Sequence, residues 1–190
     1  MMSSRKFDPH SVPKPPLPAQ QHLWVFGYGS LMWNPGFHYI ERRPALLRGY
    51  HRRFCVYSVH YRGTHDNPGL VLGLDRGGSC RGIAFRVGDD AVPETMDYLW
   101  ERELITPVYT PKLLPLRTDQ GQVIALCFVV RRDARDYHAE RSPDRTARII
   151  RHARGSRGAN LEYLANTVAR LEELGMPDYT LRQLLNRVED

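Results

Sequence analysis

Residues Trp24–Phe37 read WVFGYGSLMWNPGF, and this stretch carries the strongest local signal for the fold. The apolar run at residues 23–28 predicts a buried strand, and the Gly29-Ser30 pair predicts a sharp turn after it. Because glycine has no Cβ, the main-chain N–H groups of such a turn can approach a ligand closely and hold a carboxylate or a developing oxyanion. The candidate ligand-binding residues are therefore Tyr28, Gly29, Ser30 and Leu31.

The glycine spacing alone does not decide between a binding role and a purely structural turn. A tight turn that leaves a buried strand has the same pattern. A dinucleotide-binding fingerprint is not supported, because the third glycine of G-x-G-x-x-G is replaced by Met32. A G-x-S-x-G nucleophile elbow is also missing, since Gly29-Ser30-Leu31 lacks the second flanking glycine.

Outward from this stretch, the chain continues with strands first and helices mostly last. Apolar runs bounded by Gly, Asn and Pro predict strands at residues 50–59, 70–74, 82–87, 108–116 and 123–131. Helices are predicted at residues 90–105, 143–153, 160–174 and 178–188. Ser142, Asn160 and Asp178 suit N-cap or first-turn positions of the last three helices. This order predicts an α+β fold, in which about six strands form a mixed sheet or barrel with packed helices.

The helix predicted at residues 90–105 places one carboxylate on its apolar face. Val92, Met96 and Leu99 recur at helical spacing, and the next position on that face is Glu103. Burial disfavours a charged carboxyl and raises its pKa, which suits a general base near neutral pH. The alternative is a glutamate at a helix end that reaches solvent or pairs with an arginine. The neighbouring charged residues fall on other faces of the helix: Glu94, Asp97, Glu101 and Arg102.

Composition narrows the class of protein and of partner. With 42% apolar and 25% charged residues, the 190-residue chain is typical of a globular protein and shows no collagen-like, coiled-coil or wholly disordered character. The net charge of +6 raises nucleic acid as a candidate partner, but the basic residues are scattered. The densest run, at residues 141–157, places arginines three or four apart, as a solvated helix face does. We therefore expect no nucleic-acid partner.

Other sequence features bear on cofactors and location. The three cysteines are far apart and the histidines lack ligand spacing, so we expect reduced thiols and no metal. No run approaches the ~20 apolar residues of a membrane span, and no signal-peptide segment is present, so we expect no membrane association and a cytoplasmic location. Residues 1–20, with five prolines, predict a flexible tail before a single domain at residues 21–190.

Five segments, in one order between residues 22 and 175, resemble motifs of the ChaC-like γ-glutamylcyclotransferases. The first is the opening stretch WVFGYGSLMWNPGF. The others are RGYHRRF at Arg48–Phe54, HYRGT at His60–Thr64 with Pro68-Gly69, YLWERE at Tyr98–Glu103 with Tyr109, and RG at Arg154–Gly155 with GANLEYL at Gly158–Leu164. The chain departs from the family at Cys55, where an aromatic residue is common, and at Arg157, where a serine is usual. The second departure could alter substrate selection.

The resemblance implies a small mixed β-barrel of the γ-glutamylcyclotransferase type with flanking helices. It also implies cleavage of a small-molecule substrate, glutathione, to 5-oxoproline and cysteinylglycine, without metal or organic cofactor. Carried over by position, Glu103 is the acid/base, and Tyr28, Gly29, Ser30 and Leu31 form the cradle of the γ-glutamyl group. We also expect Tyr109 and Tyr163, which lie in matching motifs, to bind the substrate.

Three functions are compatible with these sequence features. The first is the glutathione-specific cyclotransferase, and the second is the same cyclisation on another γ-glutamyl amine or peptide. The third is a non-catalytic binding module on the same fold. Glu103 argues against the third, because a protein that only binds needs no carboxylate at this position.

Overall fold

The computed structural model describes residues 7–17 and 22–190, which form two compact units. The first unit contains the described residues up to Arg48 together with Arg81–Ala134, and the second unit contains Gly49–Cys80 and Arg135–Asp190. The expected boundary between a tail and a single domain, at residues 20 and 21, falls outside the described residues. That division stays a prediction.

Within the described part of the chain, five strands form a closed barrel. They are β1 (Trp24–Gly27), β2 (Glu41–Ser58), β3 (Gly69–Arg86), β4 (Tyr109–Thr118) and β5 (Gly121–Val130). Their order around the barrel is β1-β3-β2-β4-β5. Strand β1 is antiparallel to β3 but parallel to β5, and β4 is antiparallel to both β2 and β5. The predicted α+β class and small mixed barrel are therefore confirmed.

The strand count differs slightly from the predicted six because two predicted strands are one. Residues 70–74 and 82–86 both belong to β3, which is continuous over 18 residues. Gly77 and Gly78, which lie between them, have φ angles of 103° and 67° that favour glycine. A glycine pair usually ends a strand, and the sequence therefore predicts a break that the chain does not make.

The core of the first unit lies where helix α1 (Val92–Glu103) meets the barrel. Trp100 of α1 and Phe128 of β5 are both buried, with ring centroids 5.7 Å apart and an edge-to-face orientation that aromatic pairs favour. Leu31, just after β1, belongs to the same cluster. The remaining members are Leu23, Val25, Val87, Met96, Leu99, Leu104 and Leu126. The end of α1 and the turn after β1 therefore contribute side chains to the same buried cluster.

The described part of the proline-rich sequence, residues 7–17, contributes to this core. Phe7, Val12 and Leu17 pack against the cluster. The indole N–H of Trp100 donates a hydrogen bond of 2.8 Å to the carbonyl oxygen of Val12. On the outer side of α1, the ammonium group of Lys14 pairs with the carboxylate of Asp97.

Three helices and a short hairpin make up the C-terminal part of the second unit. The helices are α2 (Pro143–His152), α3 (Asn160–Glu173) and α4 (Tyr179–Glu189), and the hairpin pairs β6 (Arg154–Gly155) with β7 (Gly158–Ala159). The side chains of Ser142 and Asp178 accept hydrogen bonds from the first turns of α2 and α4, which confirms both as N-caps. Among residues 7–17 and 22–190, every helix is too short or too polar to cross a membrane.

The apolar stripes of α3 and α4 face the core of the second unit. The buried residues of these stripes are Leu164, Val168, Leu171, Leu181, Leu184, Leu185 and Val188. Asn160, at the start of α3, is fully buried, and its side chain bonds to the main chain of β3. Its Oδ1 accepts from the N–H of Leu70 at 2.6 Å, and its Nδ2 donates to the carbonyl of Leu70 at 2.7 Å. This pair of bonds satisfies a buried amide that would otherwise destabilise the fold.

Candidate active site

The turn after β1 is short and bonded to itself. Ser30–Met32 form a 3₁₀ turn that Gly29 precedes. The N–H of Met32 donates to the carbonyl of Gly29, and the N–H of Asn34 donates to the carbonyl of Ser30, both at 2.8 Å. The N–H groups of Ser30 and Leu31 precede these internal bonds, so the turn does not use them. They are the candidate main-chain donors to a ligand.

Gly27 allows the turn to fold back closely onto the end of β1. A Cβ at this position would lie 3.1 Å from the ring of Phe85 and 3.2 Å from the main-chain atoms of Leu31 and Met32. Such distances are tighter than ordinary van der Waals contact, and main-chain atoms cannot move aside as a flexible side chain can. This glycine therefore serves the shape of the turn rather than its chemistry.

Glu103 is the last residue of α1, and its side chain is mostly buried, with 17% of its surface exposed. Burial raises the pKa of the Glu103 carboxyl above its usual value, while the neighbouring Arg102 guanidinium opposes this shift. The partial negative charge at the C-terminal end of a helix also disfavours an ionised carboxylate. A carboxyl in this setting can accept and return a proton near neutral pH.

Arg102 connects Glu103 to the turn. Its Nε lies 3.2 Å from Oε1 of Glu103, and its Nη2 donates to Oγ of Ser30 at 3.1 Å. Its Nη1 lies within hydrogen-bond distance of three oxygens, which belong to the carbonyls of Asn34 and Pro35 and to the hydroxyl of Tyr98. The acid/base candidate and the cradle candidate are therefore joined through one guanidinium group.

The first unit contains six of the seven predicted site residues. Tyr28 and Leu31 are buried, and Leu31 shares a core cluster with Trp100 and Leu104, which flank the end of α1. Tyr109, the first residue of β4, is half-buried and packs against that cluster. The structure thus brings the turn, the end of α1 and the start of β4 around one core. The roles of these residues in binding and catalysis remain predictions.

Tyr163, the seventh predicted residue, lies on α3 in the second unit. Its ring contacts Phe54 edge-to-face, with centroids 5.5 Å apart, and the guanidinium of Arg62 lies 5.2 Å from its ring centroid. Arg157, where the chain departs from the family, stacks over the ring of Tyr61 at 4.0 Å. Its N–H also donates to the carbonyl of Tyr61, so Arg157 anchors the β6–β7 hairpin to the segment after β2.

A cavity of about 400 Å³, typical in size of a small-molecule pocket, opens in the second unit. Arg52, Arg53, Arg141 and Arg187 line it together with Glu140 and Asp178. Most of these charges are compensated locally: Arg52 lies 3.8 Å from Asp178, Arg53 lies 3.1 Å from the buried Asp75, and Arg187 lies 2.9 Å from Asp144. Its lining includes neither Glu103 nor the turn after β1, so the predicted acid/base does not belong to this cavity.

The described residues 7–17 and 22–190 contain no group of three or more His, Cys, Asp or Glu side chains placed to hold a metal ion. The candidate site residues themselves offer a carboxyl, main-chain amides and an arginine.

Sequence reasoning did not find the role of Arg102. Helical periodicity places Arg102 on a different face from Glu103, and this is correct for the Cα positions. The long side chain nevertheless reaches back across the helix end to Ser30 and to Glu103. One pattern in the sequence indicates a contact of Arg102: Tyr98 stands four residues earlier, and side chains at this spacing are neighbours on a helix.

A sequence model of the family described as ChaC-like protein matches residues 23–190 of the chain. A protein of Escherichia coli named glutathione-specific γ-glutamylcyclotransferase is 36% identical over 173 residues, which cover 90% of this chain and 75% of the relative. A protein of Mus musculus named glutathione-specific γ-glutamylcyclotransferase 1 is 35% identical over 175 residues, which cover 85% of this chain and 78% of the relative.

The crystal structure of a yeast γ-glutamylcyclotransferase specific to glutathione superposes on the chain with a TM-score of 0.78. The match covers 90% of this chain and 96% of the yeast chain, at 24% sequence identity. At this level of identity the likeness bears on the fold alone, and it agrees with the closed barrel and its helices.

Proposed function

The chain belongs to the ChaC-like family, and from that premise we propose that it is a γ-glutamylcyclotransferase that cleaves glutathione to 5-oxoproline and cysteinylglycine. Two relatives named as glutathione-specific enzymes of this kind are 36% and 35% identical to it over most of its length. The structural observation that supports the proposal is the mostly buried carboxyl of Glu103, which Arg102 joins to the Tyr28–Leu31 turn.

The proposed reaction closes a five-membered lactam within the substrate. The α-amine of the γ-glutamyl group attacks the γ-carbonyl carbon of the same group, so the nucleophile is already tethered and proximity supplies much of the acceleration. Near pH 7 this amine is mostly an ammonium ion, which must lose a proton before it can attack. Glu103 accepts that proton, because burial raises the pKa of its carboxyl above the usual range.

The second half of the reaction releases the dipeptide. As the new C–N bond forms, the carbonyl oxygen gains negative charge, and the bond to the cysteine nitrogen then breaks. Glu103 returns its proton to the leaving nitrogen. It then passes on the second proton, which the ring nitrogen loses as it becomes a lactam N–H, so the dipeptide leaves with an ammonium group and the carboxylate is regenerated. The amides of Ser30 and Leu31 either stabilise the developing oxyanion or anchor the α-carboxylate of the glutamyl group.

The direct test is to incubate the purified chain with glutathione near neutral pH and to quantify both products by mass spectrometry. We expect 5-oxoproline and cysteinylglycine in equal amounts. A parallel incubation with γ-glutamylalanine separates a glutathione-specific enzyme from one that accepts any γ-glutamyl peptide. A folded chain that releases no 5-oxoproline from glutathione contradicts the proposal, and release from γ-glutamylalanine alone reassigns the substrate.

The placement of the arginines and cysteines supports two further proposals, one on nucleic-acid partners and one on location. Arg145 pairs with Glu140, and Arg151 donates to the carbonyls of Val188 and Arg187 at the end of α4, so part of the basic stripe serves the fold. This supports the absence of a nucleic-acid partner. All three cysteines are buried thiols that form no disulfide, which supports the proposed reducing, cytoplasmic location.

A further inference from the structure

Arg102 makes more side-chain contacts than an ordinary ion pair needs. All three nitrogens of its guanidinium are engaged, and they join three separate pieces of the first unit: the end of α1, the turn after β1 and the segment at residues 34–35. We propose that Arg102 is a positioning residue, which holds the Glu103 carboxylate in a fixed place relative to the Tyr28–Leu31 turn. This inference rests on the proposed function of both groups.

Each nitrogen of the Arg102 guanidinium contacts a different set of groups. Nε faces Oε1 of Glu103 at 3.2 Å, and Nη2 donates to Oγ of Ser30 at 3.1 Å. Nη1 donates to the carbonyl of Asn34 at 2.8 Å and lies 2.7 Å from the hydroxyl of Tyr98. Because the guanidinium is planar and rigid, fixing Nη1 and Nη2 also fixes the direction in which Nε meets the carboxylate. A lysine has a single nitrogen and cannot hold all of these partners at once.

The backbone beside Arg102 is shaped to admit this arrangement. Gly36 has a φ angle of 74°, and a Cβ there would lie 1.9 Å from the hydroxyl oxygen of Tyr98 and 3.1 Å from Nη1 of Arg102. Only glycine fits this combination of backbone angle and close approach. The segment around Gly36, which follows the turn, therefore packs directly against the side chains of Tyr98 and Arg102.

Arg102 also acts on Glu103 through its charge. Burial raises the pKa of the Glu103 carboxyl, and the charge and hydrogen bond of Arg102 lower it in part. Two other carboxylates of α1 face the segment 7–17: Asp97 pairs with Lys14, and Glu101 lies 3.9 Å from His10. Tyr98 and Tyr109, which pack against the same core cluster, and the buried Tyr28 in the turn bring phenols to the elements around the helix end. Removing the charge of Arg102 should therefore move the pKa of Glu103 further upward.

The test compares Arg102→Gln and Arg102→Lys with the wild-type chain, using kcat and KM for glutathione across pH. Arg102→Gln should lower kcat about 10²-fold, the usual effect of a misplaced catalytic group, with a smaller change in KM. The acid limb of its kcat/KM profile should move to higher pH. Arg102→Lys keeps the charge but not the geometry, so it should lose kcat with a smaller movement of the limb. The amine of glutathione is the same in every assay, so a moved limb reports on the enzyme.

A matched control is Arg131→Gln, which removes an exposed arginine of the same unit that pairs with Asp133. Its pH profile should match that of the wild type. The inference is overturned if Arg102→Gln is folded, keeps kcat within about twofold and leaves the acid limb in place, since a lost positioning contact costs much more than this. If Arg102→Gln does not fold, Tyr98→Phe carries the same test, because it removes one acceptor of Nη1 and retains the aromatic ring.

An experiment without turnover separates this inference from the proposed function. Titration of the Glu103 carboxyl carbon by NMR, with its signal identified by its loss in Glu103→Gln, measures the pKa directly. An upward shift in Arg102→Gln supports the coupling even if the wild-type chain has no cyclotransferase activity, in which case the proposed function alone fails. If the wild-type chain is active but the pKa of Glu103 is the same in Arg102→Gln, the coupling is overturned and the proposed function stands.

Discussion

The indole N–H of Trp100 donates a hydrogen bond of 2.8 Å to the main-chain carbonyl of Val12, and this bond ties residues 7–17 to the helix that ends in Glu103. Trp100 is fully buried, and its ring also packs on Phe128 of the barrel. The N-terminal segment is thus bonded to the residue that stands three positions before the proposed acid/base.

Deletion of residues 1–17 should destabilise the first unit. It removes the partner of a buried indole N–H and the apolar contacts of Phe7, Val12 and Leu17. We expect the free energy of unfolding in urea to fall by about 2–4 kcal/mol, from lost burial and one lost hydrogen bond. Deletion of residues 1–6 is the control, since it removes none of these contacts. Equal stability of the longer deletion and the wild type would contradict the prediction.

Glu103→Gln should abolish most of the turnover and keep the fold. Glutamine cannot exchange a proton with the substrate amine, and a positioned proton-transfer group is usually worth about 10²–10⁴-fold in rate. The measurement is kcat with glutathione, together with a circular dichroism spectrum that shows a native fold. The control is Glu101→Gln on the same helix, whose side chain is 71% exposed. Near-normal turnover in folded Glu103→Gln would remove Glu103 from the mechanism.

The same substitution should stabilise the chain at neutral and alkaline pH. Burial raises the pKa of Glu103 in the folded state above its unfolded value of about 4.3. Below the unfolded pKa both states are protonated, so there is no penalty. As pH rises, the unfolded state loses its proton first, and folding stability falls until the folded carboxyl has also ionised. Glu103→Gln lacks this penalty.

Urea denaturation of the wild type and of Glu103→Gln at acidic and at mildly alkaline pH checks this sign. The variant should be the more stable protein at the higher pH, and the difference should vanish when the pH falls below the unfolded pKa. A variant that is less stable than the wild type at the higher pH would show that the Arg102 contact outweighs the cost of burial.

Gly29→Val should harm catalysis far more than Ser30→Ala. A branched side chain at Gly29 would crowd the main-chain amides of the turn, and loss of substrate positioning of this kind costs about 10²-fold or more. Ser30→Ala keeps its amide and loses only the hydroxyl that accepts from Arg102 at 3.1 Å, so we expect a loss of less than about tenfold. The measurement is kcat/KM for glutathione. Similar losses in both variants would indicate that the hydroxyl of Ser30, rather than the turn, governs the rate.

The sequence singles out Glu103 and the glycine turn as candidates because each stands out in a simple local pattern. Glu103 continues an apolar helical stripe formed by Val92, Met96 and Leu99, and the turn interrupts an apolar run with two glycines. The α+β class followed from the order of strands and helices. Tyr109 and Tyr163, by contrast, came only from the resemblance to a family, because a single tyrosine at a strand start or on a helix has no distinguishing pattern.

The features that the sequence did not reveal depend on distance in space rather than on spacing along the chain. The reach of Arg102 to Ser30 joins residues 72 positions apart. The contact of Val12 with Trp100 spans 88 positions, and a proline-rich composition predicts no packing for such a segment. Gly77 and Gly78 led to the prediction of two strands in place of the single strand β3, because glycine is compatible both with a turn and with a continuous twisted strand.

The burial of all three cysteines has a consequence for the proposed action on a thiol peptide. Cys55 and Cys127 are fully buried, Cys80 is 3% exposed, and burial raises the pKa of the Cys80 thiol, so none offers an accessible thiolate for exchange with a disulfide. Incubation of the native chain with oxidised glutathione should therefore add no glutathionyl mass and leave turnover unchanged; a mixed disulfide on the folded protein would contradict this. For the proposed cleavage of glutathione, the chain's own thiols are thus shielded from the redox state of the pool that supplies the substrate.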